Sequence, residues 1–99
     1  MADDRGALRH GEYKIPGGKL VVVDLQVRGG CLQQVSLSGD FFLEPPEVLD
    51  DINQALNGLS VDAGPDHIVE CVLGALPAGT EMFGLSAEGI AEVVRRALS

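Results

Sequence analysis

The stretch from Leu20 to Ser38 constrains this chain more than any other, because two alternating runs flank a Gly29-Gly30 pair. Successive side chains of an extended strand leave opposite faces, so alternation with a period of two marks a half-covered strand. Leu20, Val22, Asp24, Gln26 and Arg28 alternate against Val21, Val23, Leu25 and Val27. One face is therefore wholly apolar, while the other turns polar toward the strand end, as in an antiparallel strand covered on one side. From Cys31 the alternation resumes, with Leu32, Gln34, Ser36 and Ser38 against Cys31, Gln33, Val35 and Leu37. Gly-Gly suits a tight hairpin because both central positions can take positive φ. The two runs are predicted to pair, preceded by a shorter strand over about Gly11 to Ile15, giving about three strands.

Helical spacing takes over after Pro45-Pro46. Proline is tolerated in a first helical turn, and Glu47, Asp50 and Asp51 favour the positive end of the helix dipole. Val48, Leu49, Ile52, Ala55, Leu56 and Leu59 form an apolar stripe that Asn57-Gly58 ends, so a first helix is expected over about Pro46 to Leu56. Pro65 opens a second helix with Ile68, Val69, Val72, Leu73 and Leu76 on one stripe, closed by Pro77-Ala78-Gly79. Ser86 is a good N-cap for a third, whose stripe is Ile90, Val93, Val94, Ala97 and Leu98 and whose Arg95-Arg96 complement the C-terminal dipole. Strands first and helices after, without βαβ alternation, predict an α+β fold in which about three helices cover one face of a small antiparallel sheet.

At 99 residues there is room for one modest core, burying roughly 60–68% of the unfolded surface. Residues 1–9, polar and aperiodic, are expected as a flexible tail, with the domain over 10–99. The longest apolar run is Leu20-Val21-Val22-Val23, far short of a membrane span, and the charged N-terminus lacks a secretory signal, so a cytoplasmic protein is expected. A net charge of −8 argues against nucleic-acid binding and favours solubility or a basic partner surface.

Two loops carry the remaining information. In His10-Gly11-Glu12-Tyr13-Lys14-Ile15-Pro16-Gly17-Gly18-Lys19, Pro16-Gly17-Gly18 between Lys14 and Lys19 forms a turn whose backbone can approach another molecule closely. The lysines suit a phosphate, a carboxylate or an acidic partner patch, and a plain turn with solvated lysines accounts for them equally. Lys19 runs straight into a strand, unlike the lysine of a phosphate-binding loop, which opens a helix. The second loop is Ser38-Gly39-Asp40-Phe41-Phe42-Leu43-Glu44-Pro45. Adjacent side chains on extended backbone point opposite ways. Either one ring packs under the helices and the other is an exposed interface anchor, or both are core, which is the preferred reading.

Catalytic signals are thin. His10 and His67 stand alone, no Cys/His spacing marks a metal site, and Ser36, Ser38, Ser60 and Ser86 have no nucleophile-elbow context. Cys31 and Cys71 each fall in an apolar-rich stretch and read as buried free thiols, with redox or metal roles as the alternative.

At the two loops the chain resembles the C-terminal accessory domain of lipoate–protein ligase. That family carries segments close to K-x-P-G-G-K and S-G-D-F-F, matched here by Lys14-Ile15-Pro16-Gly17-Gly18-Lys19 and Ser38-Gly39-Asp40-Phe41-Phe42, and Gly84-Leu85-Ser86 also fits. The resemblance runs from about Arg9 to the end. It implies a fold similar to iron–sulfur scaffold proteins of the SufE/NifU kind and a stand-alone small subunit without catalytic residues of its own. Such a subunit works with a large catalytic subunit that binds ATP, Mg and lipoate, makes lipoyl-adenylate and lipoylates carrier-domain lysines. It further implies that Lys14, Pro16, Gly17, Gly18 and Lys19 face substrate or partner, and that Gly39, Asp40, Phe41 and Phe42 form an interface turn. Lys14 or Lys19 would neutralise phosphate charge or fix a closing loop. Two alternatives share the sequence: an iron–sulfur or sulfur-transfer scaffold of the same fold, and an interaction module that binds a ligase without activating it.

Overall fold

The computed structural model describes residues 7–99. Its elements are β1 (Ala7–Lys14), β2 (Leu20–Arg28), β3 (Cys31–Gly39), β4 (Phe42–Glu44), α1 (Val48–Leu56), α2 (Pro65–Ala75), β5 (Glu81–Phe83) and α3 (Ala87–Leu98). β1, β2 and β3 form an antiparallel meander in that order, and β4 pairs with β5 in a separate two-stranded ribbon. The α+β expectation holds. β1 starts at Ala7 rather than near Gly11, because its pairing with β2 continues upstream to Val27. Residues 7–9, expected in the tail, are therefore part of the sheet, and residues 1–6 of that tail lie outside the described residues.

Gly29 and Gly30 both take positive φ, +60° and +77°, and close the β2–β3 hairpin as its sequence requires. The register shifts once. Asp24 faces Ser36 but Gln26 faces Gln33, so Gln34 and Val35 together oppose Leu25 in a β-bulge, with Gln34 at φ +51°. Strict alternation puts Leu32 on the face opposite Val35 and Leu37. The bulge instead turns Leu32 onto the same buried face as both.

Val21, Val23 and Leu25 face the helices, and α3 crosses β1 and β2 on that side. α1 flanks β3, and α2 packs against α1 and α3. The outer edge of β3 is satisfied by α1 and its C-cap residue: Asn57 Oδ1 accepts from the Val35 N–H (2.8 Å) and Asn53 Oδ1 from the Leu37 N–H (3.1 Å). Those side chains cover an edge that would otherwise be open to strand pairing. The other sheet face, with Leu8, His10, Asp24, Ser36 and Ser38, is exposed.

Of the second helix's expected stripe, Ile68 and Val72 are buried, but Leu73 is 53% exposed. α2 has no sheet beneath it, so its apolar contact is narrower than its composition. Cys31 and Cys71 are free and half-buried rather than core residues. Cys31 starts an edge strand, and Cys71 sits beside the Ile68–Val72 stripe with its Sγ 3.7 Å from His67 Nε2. No helix among the described residues is long and apolar enough to cross a membrane.

Candidate functional site

The site is built at one end of the meander, where the β1–β2 loop meets the chain entering α3. Pro16 and Gly17 are the central residues of a turn closed by the Gly18 N–H donating to the Ile15 carbonyl (2.8 Å), with Gly17 at φ +73°. Proline followed by a residue of positive φ is the signature of a type II turn. Lys14 folds back over this turn, its Nζ donating to the carbonyls of Gly18 (2.8 Å) and Ile15 (3.3 Å). Lys14 therefore holds the loop's shape, whereas Lys19 is exposed and has no ion pair among the described residues.

The loop is anchored to the start of α3. The Lys19 N–H donates to the Gly84 carbonyl (3.0 Å), and Gly18 and Gly89 leave room for the Ile15 side chain, which a Cβ at Gly89 would meet at 2.3 Å. Ser86 caps α3 by accepting from the Gly89 N–H (3.0 Å), as its sequence position predicts. The second motif adjoins the first, since the Asp40 N–H donates to the Leu20 carbonyl (3.1 Å). Phe42 then pairs with Phe83, the residue just before Gly84. The Lys14–Lys19 loop, the Gly39–Phe42 turn and Gly84-Leu85-Ser86, distant in sequence, thus form one contiguous surface.

The aromatic pair divides rather than entering the core together. Phe41 packs against the buried cluster, but Phe42 is 56% exposed. Its ring stacks on Phe83 with centroids 4.5 Å apart and planes 14° from parallel. The expectation that both rings are core fails because β4 is extended: Leu43 fills the inward position and Phe42 must point out. The strand partner β5, only three residues long, gives no alternating run to read from sequence. Beside the stack, Phe41, Leu43, Pro46 and Leu49 line a shallow apolar groove of ≈ 220 Å³.

A further polar constellation lies on the exposed sheet face. His10 Nδ1 is 2.7 Å from Asp24 Oδ1 and its Nε2 is 2.8 Å from Glu12 Oε2. Two carboxylate acceptors favour the doubly protonated ring, and these hydrogen bonds, Glu12 foremost and then Asp24, raise the His10 pKa above its ordinary value. A folded-state pKa above the unfolded one stabilises the fold at pH below about 6.5, and that contribution is lost as pH rises through the folded value. An NMR titration of the His10 imidazole is expected to show a midpoint above 6.5, lowered more by Glu12→Gln than by Asp24→Asn. A midpoint at or below about 6.5 would show that the clamp does not persist in solution.

No family model matches the sequence, and no curated protein matches it. Among solved structures, the chain is similar to one from an archaeal lipoylation system, a bi-partite lipoate protein ligase and its E2 lipoyl domain from Thermoplasma acidophilum. The TM-score is 0.65 at 22% identity, with 90% of this chain and 93% of that chain covered. The likeness establishes a shared fold over nearly the whole length of both. Among the described residues, no three His, Cys, Asp or Glu side chains group as a metal site.

Proposed function

We propose that this chain is the accessory small subunit of a split lipoate–protein ligase. It acts with a large catalytic subunit in the ATP-dependent activation of lipoate to lipoyl-adenylate, before transfer to carrier-domain lysines. The observation that carries this reading is the joining of three separate motif segments into one surface through the Lys19–Gly84 and Asp40–Leu20 backbone hydrogen bonds. A fold shared with a chain of a bi-partite lipoate protein ligase system supports it. In this reading ATP, Mg and lipoate are held by the large subunit, and the small one closes over them. Closure excludes water and strengthens every electrostatic contact inside.

The two lysines divide the work. Lys14 is committed to the carbonyls of its own loop, so Lys19 is the cation left to face an anionic group on the partner side. Reconstituted adenylate formation, followed by lipoate-dependent pyrophosphate exchange, is expected to require this chain. Lys19→Ala is expected to slow it by about tenfold or more, the loss of one charge-assisted contact. Lys14→Ala is expected to act mainly on loop order, removing about 1 kcal/mol of hydrogen bonding or less. Adenylate formation by the large subunit that is equally fast without this chain would overturn the reading.

A further inference from the structure

The β4–β5 ribbon presents two unusual pairs on one face. Phe42 opposes Phe83, and Glu44 opposes Glu81, with Leu43 and Met82 turned inward between them. Leu8, Phe42, Leu73 and Phe83 are the large hydrophobics exposed among the described residues, and the two phenylalanines stack on each other here. Like charges directly opposed across two strands destabilise the pairing, and among the described residues no basic side chain forms an ion pair with Glu44 or Glu81. Glu47, Asp50 and Asp51 of the adjoining helix start are exposed and add to the same sign. The aromatic stack supports the ribbon, whereas the acidic pair, without an ion-pair partner among the described residues, only weakens it, and all four side chains stay open to solvent. A partner that covers the rings and brings a positive charge satisfies both at once.

We infer that this ribbon face is the surface that docks the large subunit, which seats a lysine or arginine between Glu44 and Glu81 and lays apolar side chains on Phe42 and Phe83. The inference rests on the accessory-subunit reading and adds the chemistry of the contact. Large, rigid aromatic rings at the centre of a patch with a charged rim are the usual anchors of protein interfaces, and complementary charge fixes orientation and speeds encounter. The groove lined by Phe41, Pro46 and Leu49 continues the apolar surface on the β4 side.

The test is calorimetric titration of the full chain against the catalytic ligase chain of the same organism, at low and high salt. Wild-type binding is expected to weaken as salt rises. Phe42→Ala is expected to weaken it by about 30-fold, the loss of a central aromatic anchor. Glu44→Gln/Glu81→Gln separates docking from folding: relief of like-charge repulsion is expected to raise the melting temperature while binding weakens by about tenfold. Leu8→Ser on the exposed sheet face is the control and is expected to bind within about twofold of wild type, as scattered surface apolar residues do. If wild type binds but both ribbon variants bind as tightly, the docking surface lies elsewhere and the accessory role stands. If wild type neither binds nor stimulates adenylate formation, both readings fall.

Discussion

Gly39→Ala is expected to lower the melting temperature by about 20 °C. Gly39 is the last residue of β3, where the chain leaves the meander for the ribbon. A Cβ on it would stand 2.1 Å from the Leu20 carbonyl oxygen and 3.1 Å from the carbonyl carbon. Both are backbone atoms of the neighbouring strand, so no rotamer change relieves the clash. The φ of +144° adds strain for any residue with a side chain. Overpacking of about 1–3 kcal/mol and backbone strain of a similar size sum to about 4 kcal/mol, a large part of the ~5–15 kcal/mol that holds a small domain folded. Gly17→Ala is the matched control. Gly17 also has positive φ, +73°, but nothing lies within 4 Å of its Cβ position. Strain alone then acts, costing about 1 kcal/mol and a few degrees. Thermal unfolding followed by circular dichroism separates the two, and a Gly39→Ala melt no lower than that of Gly17→Ala would refute the steric account.

Gly39 also shows what the sequence discloses and what it withholds. A glycine ending an alternating run, before two aromatics, is visibly a turn. That its missing side chain accommodates the Leu20 carbonyl is a tertiary fact. The β2–β3 hairpin is legible because its period of two and its Gly29-Gly30 turn agree, the first two helices because their stripes end at glycine or proline, and the third because Ser86 caps its start. The bulge at Gln34 is not legible. One added residue resets the alternation, and nothing in Gln33-Gln34 distinguishes a bulge from a strand. The ribbon is hidden for a related reason: three-residue strands are too short to display a period. Leu73 misleads because apolar spacing records what a helix can bury, not whether a neighbour exists to bury it.

At the site, the sequence identifies the loops but not how they join. Pro16-Gly17-Gly18 specifies its own turn, and that turn fixes the register in which Lys14 faces Leu20 and His10 faces Asp24. The His10 clamp is therefore a consequence of a turn several residues away, invisible to any search for clustered ligands along the chain. Lys14 is a similar case. Read as a free cation, it is in fact tied to the carbonyls of Ile15 and Gly18, so the two lysines that look alike in the motif differ in what they can still contact. The fully apolar β2 face, by contrast, can be assigned in advance, because Val21, Val23 and Leu25 have no polar side chain that needs a partner.

Gly11→Ala is the second substitution with a large expected effect, and its route to the site is longer. Gly11 lies where α3 crosses β1, and a Cβ there would stand 2.7 Å from the Val93 carbonyl oxygen, 2.8 Å from the Ala97 nitrogen and 3.0 Å from the Ala97 Cβ. Its φ is not positive, so the penalty is wholly steric: the helix must lift from the strand. Ile90, Val93 and Val94 are fully buried on that helix, and a close-packed interior loses dispersion contacts steeply when a gap opens. A cost of about 2–3 kcal/mol follows, or roughly 10–20 °C in melting temperature. Because the Lys14–Lys19 loop rests on the start of the same helix through Ile15 at Gly89 and the Lys19–Gly84 hydrogen bond, lifting α3 should also loosen the loop. Hydrogen exchange is expected to speed up at the Lys19 amide in Gly11→Ala, and adenylate formation by the reconstituted pair to fall with it. Adding Ala97→Gly removes the Cβ but leaves the backbone nitrogen and carbonyl in place, so rescue should be only partial. Full rescue would locate the clash in the Ala97 side chain alone, and an unchanged Lys19 exchange rate would show that the loop does not depend on how closely α3 approaches β1.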